Sequence, residues 1–230
     1  MKELESLKNT ALPAGHAGFA RIKNFLSDDQ CAGLIRNYTD DKLYRNTIDM
    51  KRYRFGEGQY KYFNYPLPDI IQKIRTELYE PLAVIANDWN EKLAIDIRYP
   101  KTHGEFVEIC HNHNQLRPTP LILRYGPGGH NTLHQDLYGD IYFPFQVVFM
   151  LTQKGVDYEG GEFVLTEQVP RAQSIARVVQ ADKGDAVVFT TNFRPVSGSR
   201  GYYRAKLKHG VSEVLSGQRY AMGIIFHEAR

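Results

Sequence analysis

The most constraining feature of this 230-residue chain is a histidine and an aspartate two residues apart, His134 and Asp136, at the end of the stretch LILRYGPGGHNTLHQDL. Successive side chains of a β-strand point to opposite faces, so a strand here places both residues on one face while Gln135 points away. An imidazole nitrogen and a carboxylate oxygen can then bind one metal ion. This pair of ligands suits iron(II) or manganese better than a closed zinc site.

A third ligand has to come from elsewhere in the chain, and His209 is the best candidate. It stands near the start of KHGVSEVLSGQRYAMGIIF, which turns at residues 216–217 and returns as a strand carrying Arg219. Two histidines and one carboxylate are the ligand set of non-haem iron oxygenases, which leaves coordination positions open. Arg219 shares a strand face with Ala221 and Gly223, so there is room for a carboxylate to bind its planar guanidinium through two hydrogen bonds.

With these residues the sequence resembles the iron(II)/2-oxoglutarate-dependent oxygenases over roughly residues 121–227. The motif RYGPGGHNTLHQD is similar to the corresponding run of AlkB-type nucleic-acid demethylases, and the match is closest to AlkB-related bacterial oxygenases. The motifs VDYEGGEFVL and KGDAVVF resemble the middle strands of both AlkB-type and prolyl-hydroxylase-type enzymes. The sequence departs from each of these two enzyme types at one position that bears on the substrate. AlkB-type enzymes carry a second arginine where residues 223–227 have none, and prolyl hydroxylases often carry lysine in place of Arg219.

The resemblance implies a reaction and a set of ligands. Iron(II), the cosubstrate 2-oxoglutarate and O2 would together hydroxylate a substrate C–H bond and release succinate and carbon dioxide. Hydroxylation of an N-methyl group would release formaldehyde, whereas hydroxylation of another carbon would leave a stable alcohol. The implied metal ligands are His134, Asp136 and His209, and the residues implied to bind 2-oxoglutarate are Arg219 and Tyr125.

Several short apolar strands separated by turns, such as LILRY, FQVVFMLT, GGEFVL, DAVVFTT and RYAMGIIF, predict a β-sandwich or barrel. The resemblance narrows this to an α+β fold with a double-stranded β-helix, or jelly-roll, core and N-terminal helices packed on a sheet. We expect a single oxygenase domain over residues 1–230, with support in 1–118 and the catalytic core in 119–230. Ser27 and Gln30 predict a helix start, and Pro81 is expected to kink or divide a second, amphipathic helix.

The composition indicates the cell compartment of the protein more clearly than it indicates a binding partner. A formal charge of +3 is too small to indicate nucleic-acid binding by itself. The two cysteines, Cys31 and Cys110, give no disulfide framework, the first eleven residues lack a signal-peptide pattern, and no stretch has the length and apolarity of a membrane span. We therefore expect a cytoplasmic protein without a membrane partner, while its oligomeric state stays open.

Two segments rich in basic and aromatic residues bear on the substrate. Residues 45–62 interleave arginine and lysine with tyrosine and phenylalanine, and residues 192–208 carry five basic residues and no acid before His209. Single-stranded or damaged nucleic acid is the leading substrate, because such segments can stack bases and neutralise phosphates. The alternatives are a prolyl, protein side-chain or small-molecule hydroxylase, and a non-catalytic binding module with a basic rim. The candidate substrate-binding residues are Tyr53, Arg54, Arg194, Arg200 and Arg204.

Overall fold

The computed structural model describes residues 18–230, which form two facing antiparallel sheets with helices packed on the outside of one of them. The sequence-based prediction for the first eleven residues lies outside this described part. The strands are β1 (Phe19–Ile22), β2 (Tyr44–Asp49), β3 (Gly56–Glu57), β4 (Gln59–Phe63), β5 (Leu121–Tyr125), β6 (His130–His134), β7 (Phe145–Met150), β8 (Tyr158–Gly160), β9 (Phe163–Gln168), β10 (Ile175–Val179), β11 (Ala186–Thr190), β12 (Phe193–Gly198), β13 (Gly201–Val211), β14 (Val214–Gly217) and β15 (Arg219–Ile225). The helices are α1 (Asp28–Asn37), α2 (Met50–Tyr53), α3 (Asp69–Lys92) and α4 (His103–Asn112).

The strand order identifies the fold. The large sheet has the order β1-β11-β7-β15-β5-β4-β2, and the small sheet has the order β10-β9-β13-β6-β3, with β12 paired to β13. From β5 onward the chain passes back and forth between the two sheets, which is the winding of a double-stranded β-helix. The predicted α+β jelly-roll fold is therefore confirmed.

Two apolar layers hold the sheets and helices together. The outer face of the large sheet, including Phe145, Val147 and Phe149 of β7, packs against α1, α3 and α4. A second cluster lies between the sheets. Several of its members, including Tyr125, Phe163 and Phe189, also line a cavity there, so the site described below lies between the sheets rather than on the surface.

The helices follow their sequence signals with one exception. Helix α1 begins with a capping box in which the Gln30 amide N–H donates to Ser27 Oγ at 3.2 Å and the Ser27 N–H donates to Gln30 Oε1 at 2.8 Å. Of the two effects expected at Pro81, a kink or a division, the division does not occur, because α3 is one helix of 24 residues. Buried Leu78 and Leu82 on either side of the proline pack on the same core, and this continuous apolar face favours a single helix.

The N-terminal part of the chain builds the same sheet as the core. Strand β4 pairs with β5, so the expected boundary between residues 118 and 119 falls between neighbouring strands of the large sheet. Strand β1 pairs with β11 at the opposite edge. In the part of the chain that is described, no helix combines the length and the apolarity needed to cross a membrane.

A buried histidine makes the stability of this fold depend on pH. His103 is 3% exposed, and its Nε2 lies 2.9 Å from the carbonyl oxygen of Phe226. Burial, together with the nearby cation Arg75, lowers the pKa of His103 from 6.5 to about 3. Below pH 6.5 the unfolded chain therefore binds a proton at this residue that the folded chain does not, and stability falls as the pH is lowered towards 3.

We expect the His103→Gln variant to lose this pH dependence. Between about pH 7.5 and 5.5 the free energy of unfolding of the parent should fall by about 1.4 kcal/mol more than that of the variant. Urea denaturation at the two pH values measures the difference. The exposed His111 supplies the control, since His111→Gln should behave like the parent. Parallel behaviour of the parent and His103→Gln would contradict the assignment.

Candidate active site

Strand pairing brings three candidate metal ligands together. His134, the last residue of β6, is the register partner of His209 in β13, and Asp136 follows two residues after the end of β6. The Nε2 atom of His209 lies 3.2 Å from Asp136 Oδ2, and that of His134 lies 3.5 Å from Asp136 Oδ1. Among the residues described, these three form the only group of histidine, cysteine or acidic side chains with the spacing of a metal site, and their ligand atoms lie within 4.8 Å of one another.

Asp136 and His209 have the protonation that suits a divalent cation, whereas contact with Asp136 outweighs burial and raises the pKa of His134. His134 Nδ1 lies 2.7 Å from the carbonyl oxygen of Thr132, which leaves Nε2 facing the site. Burial would raise the pKa of Asp136, but the two histidines beside it hold that pKa well below its usual range. Burial and the neighbouring His134 lower the pKa of His209. An ionised carboxylate and a neutral imidazole are the forms that bind metal.

Tyr138 orients the carboxylate. Its hydroxyl donates to Asp136 Oδ1 at 2.5 Å. Burial and the adjacent Asp136 raise the pKa of Tyr138 well above its usual value, so the phenol keeps its proton and remains a donor. Hydrogen bonds of this kind fix the direction in which a ligand presents its lone pairs to a metal.

Arg219 and Tyr125 form a second polar group deeper between the sheets. They are register partners in β15 and β5, and the guanidinium carbon of Arg219 lies 5.4 Å from the centre of the Tyr125 ring. Both side chains are buried, and neither Arg219 Nε nor the Tyr125 hydroxyl has a hydrogen-bond partner within residues 18–230. Within the described part of the chain, the only hydrogen-bond partner of Arg219 Nη2 is the sulfur of Met150, at 3.6 Å. Because an uncompensated buried cation is costly, this pair fits the carboxylate of a bound ligand.

One cavity of about 220 Å³ joins the two groups. Its lining contains the three candidate metal ligands, Arg219 and Tyr125, together with aromatic and aliphatic side chains from both sheets. Gly223 also lines the cavity, where a larger side chain would meet Leu121. The donors therefore fit iron(II) at one point of the cavity and a dicarboxylate extending from it towards Arg219.

Comparison with known proteins supports this interpretation. A sequence model of the Oxygenase-NA family, described as "Oxygenase, catalysing oxidative methylation of damaged DNA", matches residues 58–229. An uncharacterised protein found in two strains of Mycobacterium tuberculosis is 46% identical over 167 residues, which are 73% of this chain and 72% of the relative.

Two solved structures share the fold. A prolyl-4-hydroxylase of Pseudomonas putida superposes with a TM-score of 0.56 at 14% identity, covering 99% of this chain and 98% of the hydroxylase. A prolyl hydroxylase of Trichoplax adhaerens, solved with a hypoxia-inducible-factor peptide, gives a TM-score of 0.53 at 14% identity and covers 99% and 88% of the two chains.

The jelly roll, the two-histidine-one-carboxylate cluster and the family match define an iron(II)- and 2-oxoglutarate-dependent oxygenase. The chain belongs to the Oxygenase-NA family.

The structure does not bring the predicted arginines of residues 192–208 to the cavity. This segment is a hairpin of β12 and β13 rather than a loop, because its apolar residues alternate with polar ones and form a strand that pairs with β9. Arg194 is buried and bound to Glu167 through Nη2 at 2.8 Å. Arg200 lies at the hairpin turn, nine residues before His209, or roughly 30 Å along the strand. Arg204 points to the sheet face opposite His209 and covers the ring of Phe193.

The other two predicted residues, Tyr53 and Arg54, directly precede Phe55 in the chain, and neither lines the cavity. Arg54 ends α2 with a φ of 60°, and the Phe55 carbonyl that follows accepts hydrogen bonds from the backbone and hydroxyl of Thr132. Phe55 and Thr132 both line the cavity. The segment 50–57 is therefore attached directly to the strand that carries His134.

Tyr138 and Gln146 are among the polar residues of the cavity that sequence reasoning missed. Tyr138 stands two residues after Asp136, a spacing that could have indicated a partner on the same side of the chain. Gln146 interrupts the apolar strand FQVVFM, and a single amide at an interior position is itself a signal, since buried polar groups need a partner.

We expect His134→Ala, Asp136→Ala and His209→Ala each to abolish turnover of 2-oxoglutarate while the protein stays folded, because each removes one of three metal ligands. Succinate formation and the iron content after reconstitution provide the two measurements. His111→Ala, an exposed histidine on α4, is the matched control and should keep both. Normal iron content in any of the three ligand variants would remove that residue from the site.

Arg219→Lys should raise the Michaelis constant for 2-oxoglutarate by roughly tenfold and change the saturated rate much less, since a point charge replaces a two-pronged donor. Steady-state succinate formation at varied 2-oxoglutarate measures both constants. Arg194→Lys alters a buried arginine outside the cavity and controls for packing effects. A lower saturated rate at an unchanged Michaelis constant would show that Arg219 acts elsewhere in the reaction.

Proposed function

We propose that this oxygenase removes methyl groups from damaged bases in single-stranded or locally opened nucleic acid. The observation that carries the proposal is the rim aromatic pair, Tyr53 and Phe55, of which the half-exposed Phe55 lines the cavity. Arg52 and Arg54 stand next to the pair in the chain. The family description, which names damaged DNA, supports the same substrate class.

The rim aromatic pair has the form of a base-stacking platform. The two rings lie 5.6 Å apart at 18° to each other and remain about half exposed. The guanidinium carbon of Arg52 lies 5.9 Å from the Tyr53 ring. Both Arg52 and Arg54 are exposed, and neither forms an ion pair within the described residues. Exposed aromatic rings next to unpaired cations favour bases and phosphates over a neutral ligand.

In the cavity we assign His134, Asp136 and His209 to iron, and Arg219 and Tyr125 to 2-oxoglutarate. When bound, iron with 2-oxoglutarate and O2 supplies the oxidation: one oxygen atom enters succinate and the other enters a substrate C–H bond. Arg219 would hold the distal carboxylate, and the protonated Tyr125 hydroxyl would donate to it. The apolar lining of the cavity excludes water from the reacting atoms.

The products distinguish demethylation of a base from simple hydroxylation. An N-methyl group that gains a hydroxyl becomes an unstable N-hydroxymethyl group, which loses its hydroxyl proton, breaks its C–N bond to release formaldehyde and returns the bonding electron pair to the nitrogen. The purified enzyme with iron(II), 2-oxoglutarate and single-stranded oligonucleotides bearing N-methylated bases should form succinate and formaldehyde in equal amounts. Succinate without formaldehyde on these oligonucleotides would refute base demethylation.

The paired substitution Arg52→Ala and Arg54→Ala tests the rim. Binding of single-stranded DNA should weaken, and the slope of log affinity against log salt should become shallower by about 0.7 for each phosphate that the variant no longer binds. The double variant Arg200→Ala and Arg204→Ala removes the same charge far from the cavity and should bind like the parent. Fluorescence anisotropy at several salt concentrations gives the slopes. The reverse pattern would move the nucleic-acid surface to the β12–β13 hairpin and overturn the rim assignment.

A further inference from the structure

Gln146 is a polar residue that the reaction as described does not use. Its neighbours Phe145 and Val147 belong to the core beneath the helices, whereas Gln146 faces the cavity. It is 4% exposed, and its Nε2 has no hydrogen-bond partner within residues 18–230. An unsatisfied buried amide costs about 1–3 kcal/mol, and an apolar residue at this point of the strand would avoid that cost. The amide therefore suits a ligand that enters the cavity.

Register places Gln146 at the level of the metal ligands, on the opposite wall. Its partner in β11 is Phe189, whose ring lies 4.8 Å from the His209 ring. Its partner in β15 is Ile225, which belongs to an apolar cluster with Tyr62 and against which Tyr138 packs. Phe189 lies beside the metal ligand His209, and the cluster of Ile225 packs against Tyr138, which donates to the metal ligand Asp136. Both strand neighbours of Gln146 are therefore close to a metal ligand.

Gln146 lies beside the metal ligands rather than beside the residue that anchors the cosubstrate. Its register partner Ile225 stands six residues from Arg219 on β15, or about 20 Å at the rise of a strand. Gln146 is therefore away from the anchor and close to the point where a substrate C–H bond has to meet the iron.

We propose that Gln146 is the specificity-determining residue that reads the edge of the target base. The inference rests on the proposed function and deepens it. A primary amide offers two donors and an acceptor, so it pairs with a ring edge that carries an amide or amidine group, as glutamine does with adenine. Tyr62 and Tyr138, which meet edge to face at 6.3 Å, supply an aromatic wall beside that ring. The substrate class is a methylated base with a hydrogen-bonding group next to the methylated nitrogen.

The test compares two bases that differ at one position. Single-stranded oligonucleotides carry either 3-methylcytosine, with an amino donor at C4, or 3-methylthymine, with a carbonyl acceptor there. Formaldehyde release gives kcat/KM for each. The amide of the parent serves both bases. Gln146→Glu, which when ionised only accepts hydrogen bonds, should raise the ratio of the 3-methylcytosine value to the 3-methylthymine value by roughly tenfold or more.

Two further variants make the result specific. Gln146→Met keeps the length of the side chain but removes its hydrogen bonds, so it should lower kcat/KM for both bases by roughly tenfold. Gln168→Glu adds the same charge at an exposed residue outside the cavity and should leave the ratio unchanged. If Gln146→Glu fails to fold, the methionine variant alone decides, because unchanged kcat/KM values would overturn the inference.

The possible results distinguish a failure of this inference from a failure of the proposed function. A parent enzyme that releases formaldehyde from neither oligonucleotide refutes both. An active parent with unchanged ratios in Gln146→Glu refutes only the role of Gln146. A raised Michaelis constant for 2-oxoglutarate in Gln146→Met, without a change for the bases, would instead assign the amide to the cosubstrate and overturn the inference.

Discussion

The site depends on strand register more than on any single contact. One pairing, β6 with β13, sets His134 opposite His209, and another, β5 with β15, sets Tyr125 opposite Arg219. A slip of one residue in either pair would turn one side chain of the pair to the other face of its sheet. The apolar residues that share a face with the site residues, such as Leu207 and Val211 beside His209, resist such a slip, since it would expose them. The core between the sheets therefore also preserves the geometry of the ligands.

The buried arginines differ in the groups that compensate their positive charge. Arg75 is fully buried with Glu228 and with backbone carbonyls, and Arg194 is buried with Glu167. Arg219 is equally buried, yet among the described residues it has no acid beside it. The first two are satisfied by the fold itself, while the third needs an anion from outside. This contrast within one molecule distinguishes a ligand-binding arginine from a structural one.

Much of the fold and of the metal cluster could be predicted because both depend on local patterns. Strand alternation and the His134-Asp136 spacing are properties of neighbouring residues, and the order of the motifs supplied the third ligand. The role of Arg194 could not be predicted, because its partner Glu167 is distant in sequence and meets it only through the pairing of β9 with β13. Gln146 was missed for a related reason: its importance lies in what it faces across the cavity.

The position of β15 has a consequence for the order of assembly. This strand, among the last described elements, inserts between β5 and β7 in the middle of the large sheet, so those two strands cannot be joined before it arrives. On the ribosome the emerging chain would therefore hold two open sheet edges and only part of the ligand set until Arg219 has been synthesised. Such long-range closure slows folding and leaves strand edges exposed to aggregation. The candidate anchor for 2-oxoglutarate is thus completed last, together with the closure of the large sheet.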